Sequence, residues 1–376
     1  MPLSRPIGAL VRHLLALSLA LAFSAAQAEI VIGQTAGFTG AVASSVNETS
    51  EGAKLYIDHV NKNGGVHGEA IRLVKLDDKF DPKLAAENAQ KLVTTENVVA
   101  LFLTRGTPHN QAILPVLNTH QVPLVAPSTG AMVLHKPVNR WVFNVRAPYQ
   151  REAERTIQHL SLIGIERIGV VQVDDSFGAD AAIGIEAGLA GTGKKAVFHE
   201  KFDRAKPVFD EVTARVIATN AQAVVILGSG NAVVDAVSAI RAAGSRAQIV
   251  TLSNNASEGF IQSLKGNARG LIVSQVFPYE RSRAAPIVKE AHDLAVTNGA
   301  QNVTPAMLEG YAGAKVLVEG LRRAGPKPTR QKLRDALEGM KRVDIGGLEV
   351  TYSPADHSGL DFADLSIIGE NGRFLR

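Results

Sequence analysis

Two short loops carry the residue types best suited to holding an anion. The first is Arg105-Gly106-Thr107-Pro108, and the second is Pro127-Ser128-Thr129-Gly130. Thr is a good N-cap and Pro is favoured in the first helical turn, so a helix is expected to start at Thr107. Free N–H groups at a helix start, with hydroxyls beside them, attract an anion such as a carboxylate. The same residues also read as two well-capped βα turns that hold nothing, since such turns occur in any α/β protein.

The apolar runs before these loops set their place. Val98 to Leu103 and Val122 to Ala126 are too short for helices and suit strands buried on both faces. Other strands are expected at Ile30–Gly33, Ile71–Leu76, Trp141–Val145, Arg167–Val173, Lys195–Phe202, Ala223–Leu227, Ile249–Leu252 and Leu271–Val276. Amphipathic stretches alternate with them, beginning with Asn47–Asn63. Late helices are expected over 284–297, 305–324 and 330–340, and Glu370-Asn371-Gly372 marks a hairpin turn. Strands alternating with helices imply an α/β fold of parallel sheets covered on both faces. The pattern restarts near Gln150, so two Rossmann-like lobes are expected. The late helices have no new sheet and should pack back on the first lobe. With no Gly/Ser-rich linker, several short crossovers are expected in place of one tether.

Loops at the C-terminal ends of strands recur in both halves: Gly37–Gly40, Arg105–Thr107, Ser128–Gly130, Ser176–Gly178 and Gly228–Asn231. Ligands in open α/β sheets bind at such ends, so facing halves would line one cleft. Phe38, Tyr149 and Tyr279 are candidate aromatic walls, with partial burial at lobe edges as the alternative.

Composition narrows the function. The chain contains no Cys, so it has neither a disulfide framework nor thiol chemistry. Arg5, Arg12 and His13, an apolar run from Leu14 to Ala26, and Ala26-Gln27-Ala28 read as a signal peptide cleaved after Ala28. The exported chain would then carry 38 basic against 36 acidic residues, too mild a balance for nucleic-acid or membrane-surface binding. Neither a GxSxG elbow, an HExxH pair nor a P-loop is present. Asp77, Asp78 and Asp81 are better read as a strand-end turn and an N-cap than as a metal site. Neither a cofactor nor a metal is expected.

The chain resembles the type I periplasmic solute-binding proteins of ABC transporters, in the leucine/isoleucine/valine-binding family. The likeness rests on Gly37-Phe38-Thr39-Gly40, Asn61 to Gly68, Asp77-Asp78 with Asp81-Pro82, Ala126-Pro127-Ser128 and Asp175-Ser176-Phe177-Gly178. It implies two lobes joined by three crossovers, near Ala147, Phe277 and Thr351, that close like a Venus flytrap on a solute. Lobe 1 would hold 29–147 and 278–350, and lobe 2 would hold 148–277 and 351–376, after a signal peptide at 1–28. Carried over residue by residue, the ligand loops fall on Arg105, Gly106 and Thr107 and on Ser128, Thr129 and Gly130. The aromatic of lobe 2 falls on Phe177. Arg105 stands where relatives often have Ser or Gly, and either pairs with a carboxylate or points to solvent. The acid that meets an α-ammonium in relatives falls near Asn254, Asn255 and Ala256, where no carboxylate stands; Glu258 would need a shifted turn. Gly230, where a Tyr projects in some relatives, implies room for a larger ligand.

These readings imply a periplasmic, monomeric binding protein that is not an enzyme. It would deliver a small carboxylate-bearing solute (a branched-chain or other amino acid, an amide or an aromatic acid) to the permease and ATPase subunits of an ABC importer. A soluble sensor of the same fold is the alternative, and an exported α/β hydrolase a third reading.

Overall fold

The computed structural model describes residues 29–299 and 302–376. The signal-peptide reading lies outside these residues. Among them, no helix is long and apolar enough to cross a membrane.

Five parallel strands form the first sheet, in the order β2-β1-β3-β4-β5. They are β1 (Glu29–Ala36), β2 (Ala70–Asp77), β3 (Ala100–Phe102), β4 (Leu124–Val125) and β5 (Val142–Phe143). Side chains of a strand alternate between its faces. Phe102, Val125 and Phe143 therefore point into one core, while Leu101, Leu124 and Val142 point into another. The second core is closed by α2 (Pro82–Thr94) and α3 (Thr107–His120). The first is closed by α1 (Ala43–Lys62) and, from much later in the chain, α9 (Pro286–Thr297), α10 (Pro305–Ala324) and α11 (Arg330–Glu338). The late helices thus return to the first lobe.

The second sheet has seven strands, in the order β14-β13-β10-β9-β8-β6-β7. Its parallel part is β6 (Ile168–Val173), β7 (Phe198–Phe202), β8 (Ala223–Leu227), β9 (Gln248–Thr251) and β10 (Ile272–Gln275). Helices α4 (Tyr149–Leu162), α5 (Ser176–Gly191), α6 (Asp210–Ala218), α7 (Asn231–Ala242) and α8 (Glu258–Leu264) contribute to its core. A small hairpin, β11 (Val343–Asp344) with β12 (Glu349–Val350), follows α11 and turns at Gly346-Gly347. The chain ends in the antiparallel pair β13 (Asp364–Ile368) and β14 (Phe374–Leu375), whose turn contains Gly372 at positive φ.

Three passages join the lobes. Residues 144–147 lead out of β5, and Val276 and Phe277 lead out of β10 while packing in the core of the first lobe. The third passage lies later than Thr351. Tyr352 and Leu360 are still in the core of the first lobe, and the chain enters the second sheet at Asp364. This return strand runs beside the first passage: Asn144 N donates to His357 O at 2.9 Å and Leu360 N to Val145 O at 3.0 Å. Two of the three passages are thus paired backbone to backbone.

Helix boundaries differ from the periodicity by a few residues. The first helix begins at Ala43, four residues before Asn47, and Ser45 and Thr49 place their hydroxyls on backbone carbonyls of its first turns.

Candidate functional site

Strands β3 and β4 are each followed by a non-glycine residue with positive φ, Leu103 at 50° and Ala126 at 51°. The left-handed region is costly for such residues, and it turns both chains the same way. The result is a single parallel bridge between Arg105 and Ser128 beyond the sheet. Ser128 N donates to Thr104 O at 2.8 Å, which ties the two loops together. Gly106 is the N-cap of α3 at φ 91°, and Thr107 is its first helical residue, so the cap lies one place earlier than the sequence suggests. A β-carbon on Gly106 would lie 2.5 Å from the His109 ring, which explains the glycine. Thr107 and Thr129 share a hydroxyl–hydroxyl bond of 2.9 Å. Gly130 backs onto the first passage, where a β-carbon would meet Ala147 O at 2.6 Å.

Arg105 does not point to solvent; it is 4% exposed. Its Nη1 donates to Ser128 Oγ at 2.9 Å, and its Nη2 donates to Asn254 O at 2.6 Å and to Ser45 Oγ at 3.3 Å. Asn254 belongs to the second lobe, so the guanidinium spans the cleft. Among the described residues Arg105 has no carboxylate partner within salt-bridge distance. Its charge rests on hydroxyls and one carbonyl.

A second buried arginine was not singled out from the sequence. Arg146, on the first passage, ion-pairs with Glu152 and donates to Ser253 Oγ at 2.7 Å. Glu152 Oε2 also accepts from Ser253 N at 3.0 Å and from Ser274 Oγ. The neighbouring carboxylates hold the Arg146 guanidinium charged despite full burial. Tyr149 lies against it, ring centroid 4.5 Å from the guanidinium carbon, and packs edge-on to Phe177 at 4.8 Å. Burial pushes the Tyr149 hydroxyl pKa up. Glu309, from α10, accepts from Ser128 Oγ at 2.6 Å and places its other oxygen 3.9 Å from Arg146 Nη1. Arg105, Ser128, Glu309, Arg146 and Glu152 thus form one chain of contacts through the cleft. Arg146 and Glu309 carry no local motif; they meet only because a passage strand and a returning helix cross there.

The other candidates divide. Phe177 and Tyr149 lie together beside Arg146. Phe38 lies apart, packed on Ala36, Val42 and Val46 with Lys75 over its ring. Tyr279 is not a cleft wall, because its hydroxyl donates to Phe374 O at 2.9 Å and braces the terminal hairpin. Asn255 is spent inside its own lobe, on Gly228 O, Thr251 Oγ1 and Gly230 N. Its neighbour Asn254 faces the first lobe through its carbonyl. Gly230 offers no extra room in this closed arrangement: a β-carbon there would lie 1.9 Å from Ala41 O, across the cleft. Glu258 is exposed at the start of α8, where its N–H and that of Gly259 donate to Glu48 of the first lobe at 3.0 and 2.9 Å. Asp81 and Asp175 are N-caps, and among the described residues no acidic or histidine cluster could hold a metal ion.

A family model described as periplasmic binding protein matches residues 29–361. The chain belongs to that family. Its members are solute-binding proteins, not enzymes. Over 337 residues it is 26% identical to the Leu/Ile/Val-binding protein BraC3 of Rhizobium johnstonii, covering 87% of this chain and 88% of that one. The substrate-binding periplasmic protein of Ralstonia solanacearum superposes with a TM-score of 0.85 at 30% identity, covering 92% of this chain and 99% of that one. A leucine-binding protein of Thermotoga maritima shares the fold, with a TM-score of 0.81 at 18% identity over 92% and 97% of the two chains. Some matches are partial: an amino acid binding protein of Pseudomonas aeruginosa aligns over 203 residues at 25% identity, 53% of this chain and 54% of its own length. As a periplasmic binding protein, the chain has its cleft where two lobes and three passages meet.

Proposed function

We propose that this protein is exported, loses its signal peptide after Ala28, and captures a small carboxylate-bearing solute by hinge closure for an ABC importer. The single observation that carries the carboxylate is Arg105. A guanidinium buried between two lobes, bonded to hydroxyls and a carbonyl with its one nearby carboxylate, Glu309, held off by the Ser128 hydroxyl, has room for a directly bonded anion. A ligand carboxylate supplies that anion and the bidentate geometry that suits arginine. Thr107, Thr129 and the N-terminus of α3 stand beside it as further donors, and Tyr149 and Phe177 form an aromatic side. Closure removes water from these groups, which strengthens each of them. The solute is then handed to the permease and ATPase subunits.

The test is a thermal-shift screen of carboxylic acids against their methyl esters. At a hundred times Kd a ligand stabilises by about 2.7 kcal/mol. Acids that raise the melting temperature while their esters do not support this reading. Esters that bind as tightly as the acids, or no shift with any acid, overturn it.

A further inference from the structure

The mouth of the cleft is built from both lobes. An open cavity of about 620 Å³ is shared there by Ala41, Phe80 and Asp81 of the first lobe and Phe202, Asp203 and Arg204 of the second. Residues 105–107 and 128–130 do not line it. Phe80 stands between the cavity and the first of these loops. Its Cε2 lies 3.0 Å from where a β-carbon on Gly106 would stand. Its ring stacks on His109, with centroids 4.3 Å apart and planes 20° from parallel. Gly106 and His109 belong to the start of α3, so Phe80 covers that helix end. From the second lobe Arg204 approaches the same ring, its guanidinium carbon 5.1 Å from the centroid.

Each partner is fixed within its own lobe. Lys79 and Phe80 are consecutive non-glycine residues at positive φ, 52° and 61°. Such a turn is costly for residues with a β-carbon and persists only where its surroundings impose it. Here Asp77 Oδ1 accepts from Lys79 N and Asp78 Oδ1 from Phe80 N, both at 2.9 Å. Gly37 leaves space for the turn, since a β-carbon there would lie 3.1 Å from Phe80 N. Arg204 is held by Asp175, whose Oδ2 accepts from Nε at 2.6 Å and from Nη2 at 2.5 Å. The other oxygen of Asp175 caps α5 at Phe177 N and Gly178 N. Asp175 thus occupies one edge of the guanidinium and leaves its flat face for the ring. Among the described residues no hydrogen bond or ion pair joins Arg204 to the first lobe. Parting the lobes therefore separates a ring from a cation that keeps its own carboxylate, and strands no polar group.

We propose that Arg204 and Phe80 form a cation–π latch that holds the two lobes shut over the start of α3. A latch of this kind sets the closed population, and with it the apparent affinity for any solute the cleft takes. It does not depend on the carboxylate reading above.

The test is the distance between spin labels on opposite lobes, measured by double electron–electron resonance on the purified protein. The chain has no Cys, so Glu87→Cys on α2 and Glu211→Cys on α6, both exposed positions, carry the only labels. The labelled protein is expected to show a population at the separation of this structure. Arg204→Gln and Phe80→Leu should each lower the ratio of closed to open populations by roughly threefold to thirtyfold, the range of a cation–π contact. Combining them should lower it little further than the stronger change alone, because either one removes the whole contact. Arg204→Lys keeps a cation near the ring and should retain part of the closed population. Circular dichroism checks that each variant is folded. A residue that only steadies its own lobe would lower the melting temperature and leave the distance unmoved. An unchanged distance in either single variant overturns the proposal, as does a double variant whose effect is the product of the two singles. A labelled parent protein with no closed population overturns it as well.

Discussion

Arg105 Nη2 in the first lobe donates to the backbone carbonyl of Asn254 in the second, at 2.6 Å. A single side chain thus touches both the proposed ligand seat and the opposite wall of the cleft. In this arrangement its direct partners are hydroxyls and one carbonyl, and the Glu309 carboxylate is reached only through Ser128.

Arg105→Met keeps the length of the stem and removes the charge. The expected result is loss of carboxylate binding, by a factor of about a hundred or more, since charge-assisted bonds in a buried site contribute roughly 1.5–3 kcal/mol each. The fold should persist, because the residue sits at the lobe junction. Calorimetric titration and circular dichroism check the two halves of this statement. Full affinity in the variant would place the carboxylate elsewhere.

Ser128 joins Arg105 to Glu309 with one hydroxyl. Ser128→Ala leaves both partners short of a bond and should cost about 1–3 kcal/mol in urea unfolding. Thr107→Val breaks only the contact with Thr129, which is one neutral bond, and should cost about 1 kcal/mol. Both should weaken ligand binding. Equal unfolding costs for the two would contradict the bridging role given to Ser128.

Glu48 accepts the first two N–H groups of α8 from across the cleft, and Gly259 lies against Ser44, where a β-carbon would come within 2.5 Å of Ser44 Cβ. Glu48→Ala removes this lobe-to-lobe contact, and Gly259→Val wedges it open. Both should shift the protein towards an open form, with a larger radius of gyration in solution scattering and weaker ligand affinity. Gly230→Ala should act in the same direction, because the Ala41 carbonyl occupies the space of its β-carbon. Unchanged scattering for all three would show that the contacts do not hold the lobes together.

Acid stability has two opposing sources. Burial pushes His109 and His135 down to about 4, so these neutral imidazoles favour folding above the unfolded value near 6.5. Their contribution is lost as pH falls from about 6.5 to about 4, because the unfolded chain binds the protons first. Asp78 is pushed up to about 6, by burial first of all. Its contribution has the reverse sign: it is full below the unfolded value near 4 and is lost as pH rises through about 6. Asp78→Asn removes the counterweight, so the variant should lose stability more steeply on acidification between pH 6.5 and 4. Parallel unfolding curves for the two proteins across that range would contradict this assignment.

The order of strands and helices was legible in the sequence because it rests on local physics. Apolar runs of four to six residues form buried strands, Asp81-Pro82 and Thr107-Pro108 start helices, and Glu370-Asn371-Gly372 turns a hairpin. The loops 105–107 and 128–130 were legible for the same reason: both follow such a run. Tertiary structure decided what these loops face. The positive φ of Leu103 and Ala126 has no signal in residue type, yet it sets the Arg105–Ser128 bridge. Glu309 lies 181 positions from Ser128, and Glu152 lies 101 from Ser253. Pairings at that range depend on how three passages stack two lobes, and no periodicity records them. The sequence by itself determined a two-lobed α/β protein and put the loops 105–107 and 128–130 at the ends of neighbouring strands. Only the folded chain could bring Asn254, Arg146 and Glu309 to those loops, because burial of charge is a property of the assembled lobes and not of any one stretch.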